Sequence, residues 1–392
     1  MSEKKTEERT RSVQKTTPSS GAAMPLLALF LCLTLVLGGY TLLRRTKGYS
    51  ETENRALAAF PSLSAEGLWD GSFGEGAGKW FADRFAGREW WRQMGLALKR
   101  AVGIRENGGV LLGDERLYLL PETPDEDRLT GTLDAVNAFA EKYEKVNCFV
   151  CVAPNATEIY RDVLPKKAAP YDQAALLARL KTDLPSAVIA DVSATLSDHR
   201  DEYIFYRTDH HWTSLGAYYA FCEVRRAMGL PEPVENYKIV PFAEDFEGTL
   251  SAKSADRRFR DQVDLWLPET EELYSVTYTD SMKKTPSLYY PDAKDVRDSY
   301  TVFFGGNHPR VDIDTTADTG RNLLVFKDSY FNAFAQFIWP YFEKIVVVDP
   351  RYDDENVSAL ISREGITDVL FLYNADTFAN DPNLAVFLAD GE

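Results

Sequence analysis

The longest apolar run of the chain is Met24 to Leu43, "MPLLALFLCLTLVLGGYTLL", which carries no charge. As a helix at about 1.5 Å per residue it spans about 30 Å, the thickness of a bilayer core. Between Gly76 and Val102, Trp80, Phe81, Phe85, Trp90, Trp91, Met94 and Leu98 recur at roughly helical spacing. That spacing predicts one amphipathic helix packed on the main body. Asn107-Gly108 and Gly113-Asp114 then punctuate short strands in "NGGVLLGDERLYLL". From Asp125 the pattern alternates. A helix is expected to Tyr143, a buried strand at "VNCFVCVAP", a helix over Asp172–Leu184, a strand at "SAVIADVSATL" and a helix ending near Met228. Residues of about 240–320 are polar, rich in Asp, Thr and Tyr, and read as a β-rich insertion. The alternation resumes at "RNLLVFKDSYFNAFAQF", "KIVVVDPRY" and "ITDVLFLYNADTF". Alternating strands and helices imply a parallel sheet, here one sheet made from both halves of the pattern. No internal repeat is present.

The expected organisation is a polar cytoplasmic tail at 1–23 and a transmembrane signal anchor at 24–43. Linker, helix and short strands follow at 44–124, and the main domain at 125–392. A cleaved signal peptide is the competing reading of the apolar run, but its apolar region is usually shorter, about 7–15 residues. No small-x-small cleavage site follows the run. Lys4, Lys5, Arg9, Arg11 and Lys15 precede it, against Arg44, Arg45 and Lys47 after it, which favours a cytoplasmic N-terminus and an extracytoplasmic main domain. The chain carries a formal charge of −16, and beyond Gly48 the acidic excess is about twenty. Such a domain is unsuited to nucleic acid or anionic headgroups through charge alone. Cys148 and Cys151 form a C-x-x-C, but on a strand positions i and i+3 face opposite sides, so buried free thiols are expected.

Two segments carry candidate chemistry. In "LLVFKDSYFNAF" an apolar strand ends at Lys327-Asp328-Ser329 and a helix follows. A serine there meets unpaired backbone N–H groups and the positive end of the helix dipole, although Asp328 and Ser329 also suit an N-cap. In "TDHHWTSLGAYYAF", Asp209 and His211 are two apart, so an extended chain sets them on one side. A histidine can take a serine proton only if its other nitrogen donates to a fixed acceptor, usually a carboxylate. Two adjacent histidines diverge, and a zinc site lacks a third ligand at usual spacing, His199 and Asp201 being the nearest candidates. Neither a metal nor a cofactor is expected.

Taken together, the segments resemble known proteins. "KDSY" is similar to the Gly-Asp-Ser block of SGNH hydrolases, "DHHWTSLGAYYAF" to their closing Asp-His block with its early glycine, here Gly216. "VLFLYN" resembles the strand that ends in their oxyanion asparagine, here Asn374. The order Asp209, His211, Ser329, Asn374 is rotated relative to theirs, as in the alginate O-acetylation proteins. The Asp-His-His-Trp run resembles the DHHW family of bacterial envelope proteins, with "ENRALAAFP", "ADRFAGR", "VAPNATEIY", "FEGTLSAKS", "FFGGN" and "VVVDPRY" as further pieces over about residues 50–380.

The resemblance implies an α/β fold: an SGNH-like, flavodoxin-like three-layer sandwich with a parallel sheet, circularly permuted, with a β-rich insertion and an N-terminal transmembrane helix. It implies Ser329 as nucleophile, His211 as base with His210 as its rival, and Asp209 as orienting carboxylate. Activity would be O-acetyl transfer to a polysaccharide, with a membrane-bound O-acyltransferase as acetyl supplier. An esterase, or a non-catalytic glycan-binding or assembly module, is the alternative. Lys327 stands where the usual block has glycine, and no glycine follows "KIVVV". The oxyanion donors are therefore expected among the Ser329 N–H, Asn374 and Arg351. Trp212, Tyr330, Tyr352 and Tyr373 are candidates for a sugar-contacting wall or for core.

Overall fold

The computed structural model describes residues 20–44 and 48–389. The expected cytoplasmic tail as far as residue 19, together with Arg45 and Lys47 of the basic flank, lies outside the described residues. The chain divides into two compact units, one of residues up to Ser50 with Arg55–Trp91, the other of Glu51–Asn54 with Arg92 onward.

In the first unit, α1 (Ser20–Leu43) contains Met24–Leu43, a stretch long and apolar enough to cross a membrane, with most of its side chains exposed. The aromatic stripe expected as one helix is two: α2 (Ser72–Arg84) and α3 (Arg88–Ala101). They are separated at Gly87, whose φ of +69° lies in the left-handed region that other side chains resist. In α3 the stripe also faces the other way from expectation, with Trp90 and Trp91 exposed. Within the second unit Arg92 donates to the Ala252 carbonyl and Gln93 to that of Ala255, while Met94 and Leu98 are exposed. Carbonyls at the end of a short helix, Thr249–Ser254, need donors, and these polar side chains supply them.

The second unit is built on an eight-stranded sheet. Its strands are β1 (Asn147–Ala153), β2 (Val188–Ile189), β3 (Tyr274–Tyr278), β4 (Lys283–Thr285), β5 (Arg310–Thr315), β6 (Asn322–Lys327), β7 (Lys344–Val348) and β8 (Asp368–Asn374). They lie in the order β4-β3-β5-β7-β6-β8-β1-β2. The run from β7 to β2 is parallel, and β5, β3 and β4 add to it antiparallel. The two halves of the sequence pattern therefore do share one sheet, and the β-rich insertion extends it.

Alternation along the strands builds a core on each face. Leu323 and Val325 join one apolar cluster with α6 (Ser214–Ala227) and α7 (Tyr330–Ile338). Leu324 and Phe326 join the other with α4 (Glu126–Lys142), α5 (Gln173–Asp183), α8 (Val357–Glu364) and α9 (Ala375–Asn380). Each such side chain, fully buried, contributes roughly 1.5–3 kcal/mol. Cys151 and Cys148 fall into opposite clusters, free and buried, and burial pushes the Cys148 thiol up to about 12. A C-x-x-C on this strand is thus two core residues rather than a redox pair.

Candidate active site

Parallel strands end on one edge of the sheet, and ligands of open α/β sheets bind at that carboxyl edge. There, β6 ends at Lys327 and Ser329 starts α7 with φ −66° and ψ −12°; its hydroxyl makes no bond to its own helix. The capping is done by Asp328, whose Oδ1 accepts the Tyr330 N–H at 2.8 Å. Asp328 Oδ2 accepts the backbone N–H and the side-chain amide of Asn374, at 2.8 and 2.5 Å. The turn is therefore fixed without the serine oxygen, which stays available.

The Ser329 hydroxyl faces His211 Nε2 at 2.7 Å, and His211 Nδ1 lies 2.6 Å from Asp209 Oδ1. Since the carboxylate can only accept, Nδ1 carries the proton and Nε2 is free to receive one from the serine. Asp209 is fully occupied. Oδ1 also accepts the His211 N–H at 3.0 Å, and Oδ2 accepts the N–H and hydroxyl of Thr249 at 2.7 and 2.9 Å. Burial alone would raise its pKa, but the two imidazoles and these hydrogen bonds hold it well below the usual carboxylate range.

Local structure explains how two residues so close in sequence can meet in this way. The segment around Asp209 folds back on itself, with Phe205 bridging Trp212 and the Thr213 N–H donating to Ile204 O at 2.9 Å. Asp261 braces the bend, accepting the N–H groups of Arg207 and Thr208 at 2.8 and 2.7 Å. Two glycines allow the approach. A Cβ on Gly216 would sit 2.2 Å from Ile204 O, and one on Gly248 would sit 2.3 Å from the Asp209 Cβ.

His210 does not meet Ser329. Its Nδ1 is 2.8 Å from the Thr249 hydroxyl, and its backbone carbonyl accepts the Tyr330 hydroxyl at 2.6 Å. Burial first, and the neighbouring His211 second, push its pKa down to about 3, so it is neutral at physiological pH. Asp209, His210 and His211 place ligand-type atoms within 4.8 Å of one another. Both Asp209 oxygens and both His211 nitrogens are nevertheless engaged by the partners above. His199 is elsewhere employed, paired with Glu202 at 2.7 Å and stacked on Tyr219.

Several expectations need correction. Asn374 is not a free oxyanion donor: its Nδ2 donates to Asp328 and to the Thr377 hydroxyl, and its Oδ1 caps α9 through the N–H groups of Asp376 and Thr377. Trp212, Tyr330 and Tyr373 cannot form a sugar-contacting wall, because each is at most 2% exposed. The Trp212 indole N–H is used internally, donating to Tyr330 O at 3.0 Å. Tyr352 alone of that group is exposed. Arg351 gives its Nε and Nη2 to Asp349 at 2.8 and 2.7 Å. Lys327, which replaces the usual glycine, is a buried strut reaching Asn307, Asn332 and Asp349 at 2.9, 3.0 and 3.3 Å.

Two neighbours of the triad are absent from the candidate residues, although the first lies in a block that carries the resemblance. Thr249, in "FEGTLSAKS", anchors Asp209. Tyr300, inside the insertion, stacks on the His211 ring at 3.9 Å between centroids and 8° between planes, and its hydroxyl donates to Ser329 O at 2.9 Å. The motif "FFGGN" also gains a role, since its Asn307 receives Lys327.

No curated protein matches the chain. A DHHW family protein from Eubacterium siraeum is 29% identical, with 72% of this chain covering 95% of that one at a TM-score of 0.64. PatB1 of Bacillus cereus is 18% identical over 70% of this chain and 98% of its own, with a TM-score of 0.61, and has also been solved with a sulfonyl adduct. More distant is the O-acetyltransferase domain of Pseudomonas putida AlgJ, at 15% identity over 72% of this chain and 99% of that one and a TM-score of 0.45. Residues 188–348 match the DHHW protein family, and they contain Asp209, His210, His211, Trp212 and Ser329. Over that stretch the chain is similar to the DHHW family.

Proposed function

We propose that the protein is a membrane-anchored, extracytoplasmic O-acetyltransferase of SGNH type that acts on a polysaccharide of the cell envelope. The observation that carries the reading is the contact of His211 Nε2 with the Ser329 hydroxyl while Nδ1 is held by a buried, fully bonded Asp209. The strand order supports the fold class. Counted from the serine strand β6, the parallel run β7-β6-β8-β1-β2 becomes 2-1-3-4-5, the flavodoxin-like order, with the chain start moved between the third and fourth strands. This is a circular permutation of a three-layer sandwich. PatB1's sulfonyl adduct fits a fold that presents an activated nucleophile.

In the reaction, Ser329 Oγ attacks the acetyl carbonyl of the donor and its proton passes to His211 Nε2. Asp209 fixes the tautomer and balances the imidazolium. The leaving group departs with that proton, leaving acetyl-Ser329. A sugar hydroxyl then attacks the acetyl-enzyme, gives its proton to His211, and Ser329 is regenerated. The Ser329 N–H, which has no acceptor among the described residues, is the first candidate for the oxyanion. Arg351 Nη1, the nitrogen not given to Asp349, is the second. The anchor Met24–Leu43 keeps the domain at the membrane, where a membrane-bound O-acyltransferase would supply acetyl groups.

The test is to incubate the full-length protein in detergent with p-nitrophenyl acetate, with and without an oligosaccharide acceptor. Acetylated sugar that disappears in Ser329→Ala is the expected result. Ester loss without acetylated sugar would make the protein an esterase, and equal behaviour of the wild type and Ser329→Ala would end the catalytic reading.

A further inference from the structure

A cavity of about 340 Å³ is lined by three segments: residues 115–118, residues 160–163 and the stretch 200–207 that leads to Asp209. Tyr160 follows the carboxyl end of β1, and Ser329 follows that of β6. These strands run parallel on either side of β8, so both residues belong to the carboxyl edge of the sheet. One carboxylate links cavity and triad. Asp261 accepts the Tyr203 hydroxyl at 2.6 Å in the cavity wall, and the Thr208 N–H at 2.7 Å next to Asp209.

The lining has a particular chemistry. Arg116, Arg200 and Arg207 share the lining with Glu115, Asp201 and Glu202, so the charges balance and select no net charge in a ligand. The guanidinium groups lie over phenol rings, Arg116 at 4.0 Å from Tyr160 and Arg207 at 5.7 Å from Tyr203. Arg200 and Glu202 already have partners in Asp162 and in His199 with Tyr219. Arg116 Nη1 does not: it is buried and has no hydrogen-bond partner among the described residues. Planar donors and carboxylate acceptors side by side, above aromatic rings, suit a neutral ring with vicinal hydroxyls. Hydroxyl pairs bridge guanidinium and carboxylate, while the ring's C–H face packs on tyrosine.

We propose that this cavity is a distal glycan subsite, which holds one neutral sugar unit of a polymer while another unit is presented to Ser329. It rests on the acceptor class proposed above, and is tested without the reaction. Full-length Ser329→Ala in detergent is titrated calorimetrically with β-1,4-linked hexamers of glucose and of N-acetylglucosamine, and with hexagalacturonate. One neutral hexamer is expected to bind, and adding Arg116→Met or the more exposed Arg207→Met is expected to weaken it about ten-fold, the worth of one good hydrogen bond, with an unchanged melting temperature. No binding by either neutral hexamer, unaltered binding in both folded variants, or a ten-fold preference for hexagalacturonate would each overturn the proposal. Because binding is read on Ser329→Ala, an inactive triad leaves this result unaffected.

Discussion

After adjacent strands the chain makes a similar move twice: Ser329, two residues beyond the end of β6, and Asn374, the last residue of β8, are polar residues that each start a helix. At α9 the polar residue, Asn374, caps its own helix and spends its remaining donors on Asp328 and Thr377. At α7 the polar residue, Ser329, does none of this, because Asp328 takes over the cap and the hydroxyl turns to His211. Local sequence grammar is alike at the two turns. What differs is whether a neighbour relieves the cap residue of its structural duty, and that frees one side chain for chemistry.

Substitutions can break or sharpen this contrast. The largest effect is expected for Ser329→Ala: p-nitrophenyl acetate turnover should fall by about 10³-fold or more. Its melting temperature should hardly move, since no cap is lost. Asn374→Ala should do the reverse, costing about 2 kcal/mol in urea denaturation through a lost cap and an under-bonded buried Asp328. Turnover of the folded fraction should stay within a few-fold. A hundred-fold loss of turnover at unchanged stability would restore Asn374 as an oxyanion donor.

Tyr300→Phe keeps the stack on His211 and removes the bond to Ser329 O, which should lower turnover about three- to ten-fold. An unchanged rate would show that the ring alone positions the histidine. The smallest effect is a pH dependence at His210. Its folded pKa of about 3 lies below the ordinary 6.5, so the unfolded chain takes up a proton that the fold refuses. Stability from this source is full above about pH 6.5 and is lost as pH falls toward 3. Asp209, depressed from its ordinary value, loses its contribution only below about pH 4. Between pH 7 and 5, His210→Gln should therefore lose a few degrees less in melting temperature than the wild type; an identical slope counts against a neutral His210.

Much of the architecture was readable because it rests on periodicity. Strands such as "LLVF" and "VLFLY" are apolar on both faces, which marks them as central in a parallel sheet. From Trp90 to Leu98 the stripe is exposed; spacing identifies a helix and its apolar face but does not say which face is buried. In α3 the carbonyls of a distant short helix draw the charged side inward. Asp209, His211 and Ser329 were legible as types at telling positions. Thr249 and Tyr300 were not: the block "FEGTLSAKS" does not say that its threonine meets Asp209, and a tyrosine in a polar insertion looks like any other.

By itself the sequence determined the alternating α/β framework, the apolar N-terminal helix, the opposite facing of Cys148 and Cys151, and the residue types able to form a triad. These follow from side-chain periods and from the chemistry of single residues. Tertiary structure decided the rest: which histidine reaches the serine, that Asn374 and Trp212 serve the scaffold, and that Lys327 ties the serine turn to Asn307 and Asp349. Each of those outcomes depends on a hydrogen bond or a close contact between segments about twenty or more residues apart. Local propensity cannot assign a donor to one acceptor rather than another until the fold has brought both within about 3 Å.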